Sequence, residues 1–129
     1  MTGLLLDTHA WAWVMTEDDR LSNTAIDAIS GNPLIHVSPI SIYEIVQKVR
    51  LGKWPEMAPF ADELIEQLTI QSALSASFTP TIALRAAGLE WDHRDPFDRM
   101  IAATAFDLGL TLVTADRAFD SLPGLQTLW

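Results

Sequence analysis

Asp95-Pro-Phe-Asp98-Arg-Met-Ile-Ala-Ala-Thr-Ala-Phe-Asp-Leu-Gly109-Leu-Thr-Leu-Val-Thr114-Ala-Asp116 is the stretch that decides the fold. Asp95 is a helix N-cap with proline at the first helical position behind it. Phe97, Met100, Ile101, Thr104, Ala105 and Leu108 then recur at helical spacing, and Gly109 ends the run. Leu110 to Thr114 alternates and is β-branched, which predicts a strand, and Asp116 opens a short helical turn. A helix feeding directly into a strand is half of an α/β unit.

The same grammar extends upstream. Gly3 to Leu6 predicts a buried strand, ended by Asp7-Thr8 and followed by a helix over His9 to Met15. Ser22 to Ser30 predicts a helix closed by Gly31-Asn32-Pro33, and Leu34 to Val37 a second strand. Ser38-Pro39 caps a helix running to about Leu51 and stopping at Gly52. A further helix is expected from near Pro59, carrying Phe60, Leu64, Ile65 and Leu68. The first half of 69–78 reads as a strand, Thr79-Pro80 opens a helix ending near Gly88, and Leu125 to Leu128 reads as a last strand. No repeat or linker interrupts 1–129, so one domain is expected. Strands alternating with helices imply a largely parallel sheet covered on both faces. Ligands of such sheets bind beyond the carboxyl ends of the strands, and Asp7 and Asp116 both follow a strand there.

Composition narrows the function. Hydrophobic residues make up 49% of the 129, enough for one core, and no cysteine is present for disulfides or a zinc-thiolate site. The net charge of −9, with two lysines and six arginines, argues against non-specific coating of DNA. It agrees with carboxylates neutralised by cations and with a basic protein partner. The apolar run Met1 to Met15 lacks a preceding Lys or Arg and is broken by Asp7 and His9, unlike a signal peptide. No stretch reaches the ~20 apolar residues of a membrane span, so a soluble, cytoplasmic protein is expected.

Four acids stand out, and each also has a plain structural reading. Asp7 and Asp116 are placed to cap helices, and Asp98 sits in a first helical turn where the helix dipole favours it. Glu44 falls opposite the stripe Ile42, Ile45, Val46 and Val49, where a solvated glutamate is the default. Together they supply the hard oxygen ligands that Mg²⁺ or Mn²⁺ requires. Four like charges would repel, so such a site is stable mainly with cations bound. His9, His36 and His93 show no paired metal-ligand spacing, and His9 and His36 read as packing or surface residues rather than ligands.

Leu4-Leu-Leu-Asp7-Thr8-His-Ala-Trp11, Ser38-Pro-Ile-Ser-Ile-Tyr-Glu44-Ile, Arg94-Asp-Pro-Phe-Asp98-Arg99-Met-Ile-Ala-Ala and Leu112-Val-Thr114-Ala-Asp116, in that order, resemble the PIN-domain family over nearly the whole chain. More narrowly they are similar to its VapC branch, the toxins of bacterial toxin–antitoxin pairs. The resemblance implies a three-layer α/β/α sandwich with an acidic pocket formed by Asp7, Glu44, Asp98 and Asp116 as catalytic and metal-binding residues. It also implies hydrolysis of RNA with Mg²⁺ or Mn²⁺, a homodimer, and a cognate antitoxin with a basic tail. Asp95 keeps the capping role. Thr8 or Thr114 would orient a ligand or water. Arg99 and Arg117 would contact phosphate or form structural ion pairs. Trp11, Trp13, Trp54 and Trp91 are candidates for the dimer or antitoxin surface. A receiver domain would need an acidic pair after the first strand and a late lysine, neither of which is present. Two rival readings keep the same fold: a non-catalytic binding module, and a nuclease acting on DNA or processing ribosomal RNA.

Overall fold

The computed structural model describes residues 2–129. Five strands form one sheet: β1 (Leu4–Leu6), β2 (Ile35–Val37), β3 (Leu74–Ser75), β4 (Thr111–Val113) and β5 (Thr127–Leu128). Their spatial order is β3-β2-β1-β4-β5 and every pairing is parallel. Six α-helices among the described residues connect and cover them: α1 (Thr8–Thr16), α2 (Asn23–Gly31), α3 (Pro39–Arg50), α4 (Leu64–Ile70), α5 (Pro80–Gly88) and α6 (Pro96–Leu108).

The run Leu4-Leu5-Leu6 is uniformly apolar because both faces of β1 are covered. Leu4 and Leu6 join Trp11, Ile35, Val37 and Ile45 in one core layer. Leu5 points the other way, into a layer with Ile101, Ala102, Ala105, Leu112 and Phe119. The result is the expected α/β/α sandwich. Its central helix α6 is buried nearly all round its middle, where Ala102, Ala103 and Ala105 let neighbours approach closely.

Local signals set the boundaries. Ser38, Thr79 and Asp95 each cap a helix that has proline in its first turn. Gly109 ends α6 in the left-handed conformation (φ 64°), which costs a side-chain-bearing residue about 1 kcal/mol or more.

Two expectations shift. The helix expected from Pro59 begins only at Leu64. Residues 54–63 instead make successive i→i−3 bonds, from Met57 N–H to Trp54 O through Glu63 N–H to Phe60 O. Pro55 and Pro59, which lack an N–H, lie in that segment. The strand expected in the first half of 69–78 lies later, at Leu74–Ser75, because Thr69 and Ile70 complete α4.

β1 is the switch point of the sheet: β2 and β3 lie on one side of it, β4 and β5 on the other. A crevice opens at the carboxyl ends of strands flanking such a point. Leu6 is in register with Val113, and the Asp7 N–H continues the ladder to Val113 O (3.1 Å). This places the segments after β1 and β4 side by side. No helix among the described residues is long and apolar enough to cross a membrane.

Candidate metal centre

A cleft of about 250 Å³ opens at this point, lined by Asp7, Thr8, His9, Trp13, Glu44, Lys48, Asp95, Asp98, Ala115 and Asp116. All four acids singled out in the sequence therefore share one cavity. They arrive from the end of β1, the middle of α3, the first turn of α6 and the loop after β4.

Asp7 is both cap and cleft residue. One carboxylate oxygen accepts from Ala10 N–H (2.7 Å), and the group is buried at 6% exposure. Burial pushes its pKa up to about 7; hydrogen bonds from Thr114 and Ala10 oppose the rise, and the charges of Asp98 and Asp116 add to it. Asp98 is raised to about 6, first by burial and then by Asp95 and Glu44, against the opposing hydrogen bond from His93. Asp116 caps the 3₁₀ turn Arg117–Ser121 by accepting from Ala118 N–H (2.9 Å), and its own N–H donates to Thr114 Oγ1 (3.0 Å). Asp95 accepts from Phe97 N–H and Asp98 N–H, as its capping role requires.

Glu44 corrects the sequence reading. It is 3% exposed rather than solvated, on a buried line with Ser41 and Ile45, whereas Val46 of the expected apolar stripe is 40% exposed. α3 packs against α1 and α6, so its polar line closes the cleft. Lys48, one helical turn on, donates to Glu44 Oε2 and lies over the Trp54 ring. Glu44 Oε1 is buried with no hydrogen-bond partner among the described residues.

His93 places Nε2 2.7 Å from Asp98 Oδ2. One ligand atom each of His93, Asp98 and Asp116 lies within 4.8 Å of the others. Its partners are five and twenty-three residues ahead in a non-helical context, so no spacing rule flags it. Arg99 forms no ion pair among the described residues. Its guanidinium donates to the carbonyls of Ala86, Ala87, Leu89, Trp91 and His93 and fixes the loop that leads into α6. Arg117 is exposed, 3.7 Å from Asp120. Thr8 is engaged with Ser41 in a buried hydroxyl pair (2.9 Å). Of the tryptophans, Trp11 is core, with its indole N–H on Gln71. Trp13 and Trp54 pack around His9, and Trp91 lies against His93.

The donor set fits a hard divalent cation. It consists of carboxylate oxygens, one of them buried without a partner, and burial raises the pKa of two of the acids, Asp7 to about 7 and Asp98 to about 6. Bound positive charge would answer both features.

Comparison with known proteins follows the same lines. The family described as "PIN domain" matches residues 4–125. Ribonuclease VapC22 of Mycobacterium tuberculosis is 33% identical over 132 aligned positions that span the whole of both chains. The structure of VapBC2 from Rickettsia felis, bound to a DNA fragment from their promoter, covers 96% of each chain with a TM-score of 0.69 at 17% identity. That of Mycobacterium tuberculosis VapC20, described as a sarcin–ricin loop cleaving toxin, covers 96% of this chain and 99% of its own, with a TM-score of 0.61 at 16% identity. At such identities the structural likeness shows the shared fold.

Proposed function

The chain belongs to the PIN domain family, and from that premise we propose that it is a divalent-cation-dependent endoribonuclease, the toxin of a VapBC-type toxin–antitoxin pair. The observation that carries the reading is the convergence of Asp7, Glu44, Asp98 and Asp116 from four separate elements on one cleft. PIN nucleases use divalent metal ions, and here those four acids would hold Mg²⁺ or Mn²⁺. Bound there, the cations supply charge neutralisation and Lewis acidity for in-line hydrolysis of an RNA phosphodiester.

The protein's own residues prepare the site. Ala10 N–H and Thr114 hold the Asp7 carboxylate. Lys48 engages one oxygen of Glu44 and leaves the other free for a ligand. The Asp95 cap fixes the first turn of α6 and so the direction of Asp98. Nothing in this set acts as a covalent nucleophile.

The partner is a cognate antitoxin. The net charge of −9 favours a basic segment, and a second cleft beside the first, sharing Trp13, combines Leu21, Ile26 and Ile29 with Glu17, Asp18 and Asp19. A homodimer is supported by the outer face of α3, where Tyr43 (59%) and Val46 (40%) are exposed.

The test is cleavage of a labelled RNA by purified protein. Cleavage is expected with Mg²⁺ or Mn²⁺, none in EDTA, and a loss of about 100-fold or more for Asp98→Asn. Undiminished cutting in EDTA or by that variant would overturn the assignment.

A further inference from the structure

We propose that His93, with Asp98 and Asp116, forms an outer cation subsite at the rim of the cleft that takes Mn²⁺ in preference to Mg²⁺. The proposal rests on the metal-dependent reading above and deepens it. The cleft would hold an all-oxygen inner set, Asp7 and Glu44, and a rim set that includes one imidazole nitrogen, with Asp98 shared between them.

Three observations carry it. The ligand atoms of His93, Asp98 and Asp116 lie within 4.8 Å of one another. Adjacent ligands of an octahedral ion at about 2.1 Å are about 3 Å apart, and His93 Nε2 and Asp98 Oδ2, at 2.7 Å, are close to that spacing. Independently, the buried Oε1 of Glu44 in the same cleft has no partner, so the cavity is short of positive charge on its inner side as well. Finally, the histidine is held in place although its loop has no regular structure. Arg99 binds the carbonyls of Trp91 and His93, and the imidazole lies 4.8 Å from the Trp91 ring and 6.5 Å from that of Phe119.

A histidine serving only as counter-ion to Asp98 would need that one carboxylate. Here Asp116, from the loop after β4, is brought to both. Imidazole is a softer donor than carboxylate or water and suits Mn²⁺ and later transition ions better than Mg²⁺, which favours oxygen. The rim subsite therefore gives the protein a basis for choosing between the two ions.

The experiment is pulsed electron paramagnetic resonance on the full chain loaded with Mn²⁺, together with calorimetric titrations of Mn²⁺ and Mg²⁺. The wild type is expected to show a nitrogen coupling to Mn²⁺. His93→Gln should lose it, and His9→Gln, altered in the same cleft, should keep it. His93→Gln should also weaken Mn²⁺ binding about tenfold while changing Mg²⁺ binding less than about threefold. Bound Mn²⁺ without nitrogen coupling, coupling that survives His93→Gln, or equal losses for both ions would reduce His93 to an ion-pair partner and overturn the subsite alone. Failure of the wild type to bind Mn²⁺ while Mg²⁺ still binds would also overturn the subsite alone, and failure to bind either ion would remove the metal-dependent reading with it.

Discussion

At the scale of single residues, Asp7 joins two demands that oppose each other. As a cap it stabilises α1, and as a buried acid it costs stability whenever it is ionised. Its pKa is raised from 3.8 to about 7, so the folded state keeps a proton that the unfolded chain has released. Stability is therefore lost as pH rises from about 4 to 7 and stays lower above that, by a few kcal/mol for this group. Asparagine caps helices about as well as aspartate. Asp7→Asn in EDTA should then melt several degrees above the wild type at pH 7.5 and close to it at pH 4, and with Mg²⁺ or Mn²⁺ supplied it should fail to cleave RNA. Saturating Mn²⁺ should reverse the order of the two melting temperatures at pH 7.5. A variant that melts below the wild type in EDTA at pH 7.5 would show that the buried charge is not the dominant cost. Asp7 was legible in the sequence because both of its roles follow from a strand end before a helix. Glu44 as a buried residue was not. The stripe rule assumes that the face of a helix turned inward is apolar, and α3 instead turns Glu44 toward a cleft and Ser41 onto the Thr8 hydroxyl.

Among the elements, the segment between α5 and α6 shows how order can be imposed without secondary structure. The carbonyls of Ala86, Ala87, Leu89, Trp91 and His93 all converge on Arg99, one turn inside the helix that follows. A planar fork with five donors can serve all five acceptors at once, whereas a lysine ammonium has only three donors on a single nitrogen. Arg99→Lys is expected to cost about 2–3 kcal/mol. It should also speed amide exchange across residues 89–95 while β1 and β4 stay protected; equal protection there in both proteins would count against the clamp. The arginine stood out beside Asp98 in the sequence, but its partners are backbone oxygens, which no residue pattern advertises. Proline–cap pairs such as Ser38-Pro39, Thr79-Pro80 and Asp95-Pro96 were readable because each places both of its signals within two residues. The start of α4 was not, because two prolines turn 54–63 into 3₁₀-type turns that apolar spacing alone does not register.

For the whole molecule, the exposed side of α3 has a consequence in solution. If Tyr43 and Val46 form the seam of a two-fold dimer, sedimentation should give twice the chain mass for the wild type. Replacing both with glutamate should give the single-chain mass without loss of the fold. A monomeric wild type would exclude that seam. The sheet carries a different consequence. Its central strand β1 lies between β2 and β4, and Leu4 is in register with Thr111, more than a hundred residues away. Such pairings form late, because the intervening chain must close first. During synthesis on the ribosome, Asp7 leaves the exit tunnel long before the segment that brings Asp116 beside it. A chain that has not yet emerged past β4 thus lacks Asp116 beside Asp7, so the cleft is incomplete until then. Nascent chains stalled before residue 111 should neither cleave RNA nor resist protease.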